Sequence, residues 1–132
     1  MIPHFSKNLT RKAVSATRVN FSGRWTNELG SEMALTVNNG EVKGTYRTAV
    51  GEAPDEEVFD LIGYAKDDLI VFCVNFGAYG SLTAWAGQHA VENEKEMILS
   101  LWHLARNTVD GHDPKHLWST MLTGSNTFTR SA

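Results

Sequence analysis

Seven small polar or phenolic side chains are candidates for chemistry: Asn27, Ser31, Tyr46, Thr48, Ser81, Thr83 and Asn126. Alternation along the chain turns them to the same side as Phe76, Trp85 and Trp102. Buried hydroxyls and amides need hydrogen-bond partners. Either these groups satisfy one another, or they receive a polar ligand with an apolar body. Aromatic walls around a few convergent polar groups describe a small-molecule site. Each aromatic, taken singly, reads equally well as ordinary core. The inward-facing sets contain no His, Asp, Glu or Lys, so no titratable catalytic group is predicted in the interior. No Ser-His-Asp arrangement, Gly-rich phosphate loop or carboxylate pair in a cleft can be argued. The expectation is a binding protein, not an enzyme.

The elements that must position these residues are short alternating runs separated by turn signals. They span about 21–28, 32–37, 41–48, 58–65, 69–76, 81–89, 96–105 and 117–129. Asn38-Asn39-Gly40 is the strongest hairpin signal, since Asn and Gly tolerate the positive φ of a primed turn. Lys66-Asp67-Asp68 and Glu92-Asn93-Glu94 are further turns. Gly51–Glu57, Gly77–Gly80 and Asn107–Lys115 are loops. Parity places Trp25, Asn27 and Leu29 on one face, then Gly44, Tyr46, Thr48 and Val50, then Phe72, Val74 and Phe76. Ser81, Thr83 and Trp85 follow, then Ile98, Ser100, Trp102 and Leu104, then Leu122, Gly124, Asn126 and Phe128.

Eight sequential strands predict an all-β fold, an eight-stranded antiparallel up-and-down β-barrel. Closure removes exposed edges, and a barrel of this size has room for one small ligand. A two-sheet sandwich is the alternative that spacing leaves open. The domain division is a basic arm over residues 1–20, expected to be flexible, and a barrel over 21–130.

Composition agrees with one globular domain. The chain has 132 residues, 42% hydrophobic and 20% charged,. No run approaches the roughly 18 apolar residues of a membrane helix. Residues 1–20 hold Lys7, Arg11, Lys12 and Arg18 and no acid. The rest has 8 basic and 15 acidic residues, a formal −7. An acidic body argues against nucleic acid as partner. The lone Cys73 excludes an internal disulfide. Its parity is opposite to Phe72 and Val74, hence outward, and His103 is outward beside Trp102. His112-Asp113-x-x-His116 could supply metal ligands, but a polar loop with two histidines reads more simply as solvated; no metal is predicted.

Six segments in order carry a resemblance. They are Gly23-Arg24-Trp25-Thr26-Asn27-Glu28-Leu29-Gly30-Ser31, Gly44-Thr45-Tyr46-Arg47-Thr48-Ala49-Val50-Gly51 and Val74-Asn75-Phe76. Then come Thr83-Ala84-Trp85-Ala86-Gly87-Gln88, Leu101-Trp102-His103-Leu104 and the run from Trp118 to Thr129. Over about 21–130 the chain resembles the avidin/streptavidin family of biotin-binding proteins. A Gly-x-Trp near the start also resembles a lipocalin, and a lipocalin-like carrier of another small ligand is the alternative.

The avidin resemblance implies non-covalent, high-affinity biotin binding with no cofactor. By position, Asn27, Ser31 and Tyr46 would donate to the ureido oxygen, an arrangement like an oxyanion hole. Thr48 and Asn126 would meet the ureido nitrogens, where the family uses Asp or Asn at the second position. Thr83 would face the ring sulfur. Phe76, Trp85 and Trp102 would wall the ligand, with Leu29, Val50 and Leu104 adding apolar surface. Ser81 and the backbone near Glu52 and Ala53 would receive the carboxylate. The loop from Gly51 would close over it. Trp118 matches the tryptophan that the family lends to a neighbouring subunit, which favours a homo-tetramer over a dimer. Phe76 stands where better-known members have Trp, and the Gly77–Gly80 loop is short. The resemblance also implies a secreted or periplasmic protein, although no apolar signal run is visible.

Overall fold

A computed structural model describes residues 18–49, 57–107 and 121–131. Eight strands follow in chain order: β1 Gly23–Asn27, β2 Glu32–Asn38, β3 Glu41–Arg47, β4 Phe59–Lys66, β5 Leu69–Asn75, β6 Ser81–Glu92, β7 Lys95–Arg106 and β8 Met121–Arg130. One 3-10 turn, Gly77–Tyr79, joins β5 to β6. Each strand pairs antiparallel with the next, and β8 returns to β1, closing the barrel. The closing register sets Trp25 opposite Arg130 and Asn27 opposite Phe128. Closure excludes the sandwich alternative, because no sheet edge remains between the first and last strands.

Local chemistry explains the tight turns. Asn39 and Gly40 both have positive φ, +52° and +80°. That is the geometry whose twist matches two paired strands. Asn93 and Glu94 repeat it at +52° and +65°, which lets β6 and β7 run as the longest hairpin. These strands are three residues longer at β6's end than the alternation predicts, because the turn closes on two residues. Among the described residues, β8 begins at Met121. Residues 1–17 of the predicted basic arm lie outside the described residues, as do His112, Asp113 and His116.

Alternation sorts the two barrel faces as expected. Phe21, Trp25, Met33, Phe72, Ile98 and Phe128 point inward and are buried. Each such side chain stabilises the fold by about 1.5–3 kcal/mol relative to exposure. The core concentrates toward one end of the barrel. There Phe21 packs edge-on to His89, and the Trp25 indole N–H donates to the Phe21 carbonyl at 2.9 Å. Arg130 seals this end. Its guanidinium lies 4.3 Å from the Trp25 ring centroid and donates to Glu96 and to the Ser22 and Asn20 carbonyls. The other end is lined by polar and aromatic groups instead. Cys73 is exposed on the outer face as a free thiol, and His103 is also exposed.

Candidate ligand-binding site

The ends of β1, β3, β5 and β7 and the starts of β6 and β8 surround a cavity of about 340 Å³. Its lining includes Asn27, Leu29, Tyr46, Thr48, Phe76, Ser81, Thr83, Trp85, Trp102, Leu104 and Asn126. The strand alternation therefore delivers the predicted set to one place. Ser31 is buried beside it. Val50, Gly51, Glu52, Ala53 and Trp118 lie outside the described residues.

On the floor of the cavity, backbone N–H groups occupy the side-chain acceptors of Asn27 and Ser31 and turn their donors toward Tyr46. The Asn27 Oδ1 accepts from the Leu29 and Ser31 backbone N–H groups, at 3.0 and 2.9 Å. This side-chain turn follows directly from Asn preceding a tight bend. It fixes the amide so that its NH₂ group points away from the turn. The Ser31 Oγ accepts from the Ala49 backbone N–H at 2.9 Å, which leaves its hydroxyl proton to donate. Both residues hydrogen-bond the Tyr46 phenol. Burial pushes the Tyr46 ionisation above its usual value of 10.0, and the negative charge of Glu28 adds to the rise. The Ser31 and Asn27 hydrogen bonds oppose it. Tyr46 is thereby held as a neutral phenol, a donor. The Asn27 NH₂ group and the Ser31 hydroxyl therefore converge on the Tyr46 phenol oxygen, whose own O–H is a further donor.

Across the cavity, Asn126 is oriented by two unambiguous partners. The Trp85 indole N–H, which can only donate, reaches Asn126 Oδ1 at 2.9 Å. The Asn126 NH₂ group donates to Glu28 Oε1 at 2.7 Å. Glu28 Oε2 in turn accepts the Thr127 backbone N–H at 3.0 Å. Burial alone would raise the Glu28 pKa, but the hydrogen bonds from Asn126, Thr127 and its own backbone outweigh this. The carboxyl is held below its usual 4.5. Asn126 thus presents a carbonyl oxygen beside the cavity, with a carboxylate behind it.

Sequence parity missed this carboxylate. Glu28 sits on the turn after β1, where alternation no longer predicts direction. Glu28 is exposed and outside the cavity lining, and its carboxylate stands one hydrogen bond behind the wall. Parity did turn Leu122 inward, and it lines the cavity, but parity failed to single out Tyr79 and Arg106, which line it too. Arg106 continues the inward series of β7, so the signal existed, but it lies beyond the last apolar member.

The walls are aromatic. Trp85 stacks on Phe72, with centroids 5.0 Å apart and 15° between planes, and Tyr46 lies 5.1 Å from Trp85. Phe76 meets Tyr46 edge-on at 6.1 Å and Phe59 at 4.8 Å. Trp102 lies opposite Gly124 on β8. A Cβ on Gly124 would fall 2.4 Å from the indole Cζ2, so only glycine lets the ring lie flat against the strand. Thr83 Oγ1 is the one buried side-chain polar atom without a hydrogen-bond partner among the described residues. A buried orphan of this kind, in a cavity wall, is a group waiting for a ligand atom. Among the described residues, no cluster of His, Cys, Asp and Glu is placed to hold a metal.

The sequence model of the avidin family matches residues 15–131. The chain belongs to the avidin family. Avidin-related protein 4/5 of Gallus gallus is 34% identical over 130 residues, covering 92% of this chain and 85% of that protein. Avidin of Gallus gallus is 33% identical over 132 residues, with the same coverage. The X-ray structure of a biotin binding protein from chicken shares the fold with a TM-score of 0.74 at 29% identity. That match covers 87% of this chain and 98% of the other. The eight-stranded barrel is thus the avidin barrel, and membership places the chain among binding proteins rather than enzymes.

Proposed function

We propose that this chain binds biotin, non-covalently and tightly, in the cavity at the open end of the barrel. The observation that carries the reading is the convergence of hydrogen-bonding groups in the cavity. Asn27, Ser31 and Tyr46 offer donors at one point, and Asn126 offers an acceptor oxygen nearby. A cyclic urea presents the complement: one polarised carbonyl oxygen flanked by N–H groups. Thr48, also in the lining, is the partner for the second N–H, and the Thr83 hydroxyl meets the ring sulfur. Trp85, Trp102 and Phe76 cover the apolar ring system, with Leu29 and Leu104 extending the surface. Ser81 receives the carboxylate end. A carrier of a purely apolar ligand would leave these donors unmatched.

Tightness follows from preorganisation. Asn27 and Ser31 are locked by backbone groups, and Asn126 by Trp85 and Glu28, so little rotamer freedom is lost on binding. Hydrogen bonds in a dry aromatic cage are stronger than in water. The family relatives avidin and the chicken biotin binding protein support the same reading by name.

The outer face supports self-association. Ile62, Tyr64, Val71, Cys73 and Leu101 are exposed neighbours across β4 to β7. Contiguous exposed apolar surface of this kind marks an interaction surface. The chain is read as a homo-oligomer, with Trp118 reaching a neighbour's cavity in a tetramer. Sizing of Trp118→Lys tests this: unchanged assembly and unchanged ligand off-rate would remove the role.

The function itself is tested by titrating folded protein with biotin, followed by tryptophan fluorescence and calorimetry. Saturation near one biotin per chain, with a spectral change from Trp85 and Trp102, is expected. No response at micromolar biotin would overturn the reading.

A further inference from the structure

Resting on the biotin reading, we propose that Arg106 is a specificity-determining residue that selects ligands carrying a negative charge at the solvent-facing end. Arg106 is the last residue of β7 and continues the inward series Ile98, Ser100, Trp102 and Leu104. It pairs directly with Ser81, the first residue of β6. Both side chains line the cavity, and both lie at its mouth. Among the described residues Arg106 is the one cationic side chain in that lining; the others there are apolar or neutral polar.

Among the described residues, two acids nearby have partners of their own. Glu28 is engaged by Asn126 and Thr127 on the β1–β8 side. Glu57 accepts a hydrogen bond from the Tyr79 hydroxyl at 3.1 Å. The body of the protein is acidic, which on its own would repel an anionic ligand,. A guanidinium at the mouth reverses the local sign, and its planar fork suits a carboxylate. Biotin enters a urea-first site with its carboxylate trailing, so the charge of that tail meets Arg106 and Ser81 together. Amides and esters of the same ligand present no charge there. The site therefore discriminates free biotin from biotin joined through its carboxylate.

The test compares biotin with biotinamide on the full chain, wild type against Arg106→Gln and Arg106→Lys, by calorimetry or competition. Arg106 is exposed, so both variants are expected to fold, and thermal melts verify this. Wild type should prefer biotin. Arg106→Gln should lose about three- to fivefold in biotin affinity, the range of an exposed ion pair, with biotinamide unchanged. Arg106→Lys should keep most of the preference. The preference should shrink at high salt, as for any solvent-exposed charge pair. Equal effects of Arg106→Gln on both ligands, or none, would overturn the assignment while leaving biotin binding intact. If wild type bound neither ligand, the biotin reading would fail and this inference with it.

Discussion

The Trp85 indole N–H and the Asn126 carbonyl oxygen, 41 positions apart in sequence, meet at 2.9 Å in the wall of the cavity. With Glu28 holding the amide's other end, Asn126 has a single orientation. An unsupported asparagine could present either its oxygen or its NH₂ group to a ligand. Glu28→Ala removes one of the two partners that orient the amide. The expected cost in biotin affinity is about 1–3 kcal/mol, seen mainly as a faster off-rate, from loss of a charge-assisted partner to a buried amide,. Glu28→Gln, whose carbonyl can still accept from Asn126, should lose less. Equal losses for the two variants would show that Asn126 does not need this partner.

Tyr46 donates as a neutral phenol. Tyr46→Phe removes one of three donors while leaving the ring against Trp85 and Phe76. Biotin binding should weaken by about 1–3 kcal/mol, with the melting temperature of the free protein little changed. An unaltered affinity would take Tyr46 out of the acceptor-oxygen pocket.

Gly124→Ala tests the aromatic wall without touching a polar group. The new Cβ would press on the Trp102 indole at 2.4 Å, and the ring must turn into the cavity. Affinity should fall and the tryptophan emission of the unliganded protein should shift. A variant with unchanged binding and spectrum would mean that Trp102 can move aside at no cost.

Much of this was legible in advance, and the reasons are local. Strand alternation alone put Asn27, Tyr46, Thr83, Trp85 and Asn126 inward, because the side-chain period of a strand is two. Turn chemistry located the Asn39-Gly40 hairpin for the same kind of local reason,. The legibility stops where the chain leaves a strand. Glu28 is one residue past β1, in a turn, and its partners Asn126 and Thr127 lie nearly a hundred positions away. No local pattern encodes that meeting; barrel closure creates it. Arg106 was passed over for a different reason: a charged residue following an inward apolar series reads as the place where the series ends.

Acid should loosen the fold. Glu28 is held below its usual pKa by Asn126 and Thr127 despite partial burial. Glu96 is held below its own by hydrogen bonds from Arg130 and His89, against a smaller burial effect. A carboxylate with a depressed folded pKa lends stability that is complete above the unfolded value of about 4.5. That stability is lost as pH falls through the folded pKa. Thermal melts should therefore be flat in this respect above about pH 5 and decline below about pH 4.5. Glu96→Gln should make the acid decline shallower. An identical pH profile for that variant would show that the seal at the Arg130 end has no part in acid stability.

The first and last strands meet to form both the barrel seam and part of the cavity wall. Asn27 on β1 and Asn126 on β8 stand on either side of that seam, linked through Glu28. A folding chain can form the hairpins β2–β3 and β6–β7 early, because their contacts are local. The seam has to wait for contacts about a hundred residues apart. The wall on β5, β6 and β7 can form earlier, but the site is complete only when the seam brings Asn126 beside β1. Appearance of biotin binding during refolding is then a clock for the final closing step, and ligand present at that moment traps the closed barrel as it forms.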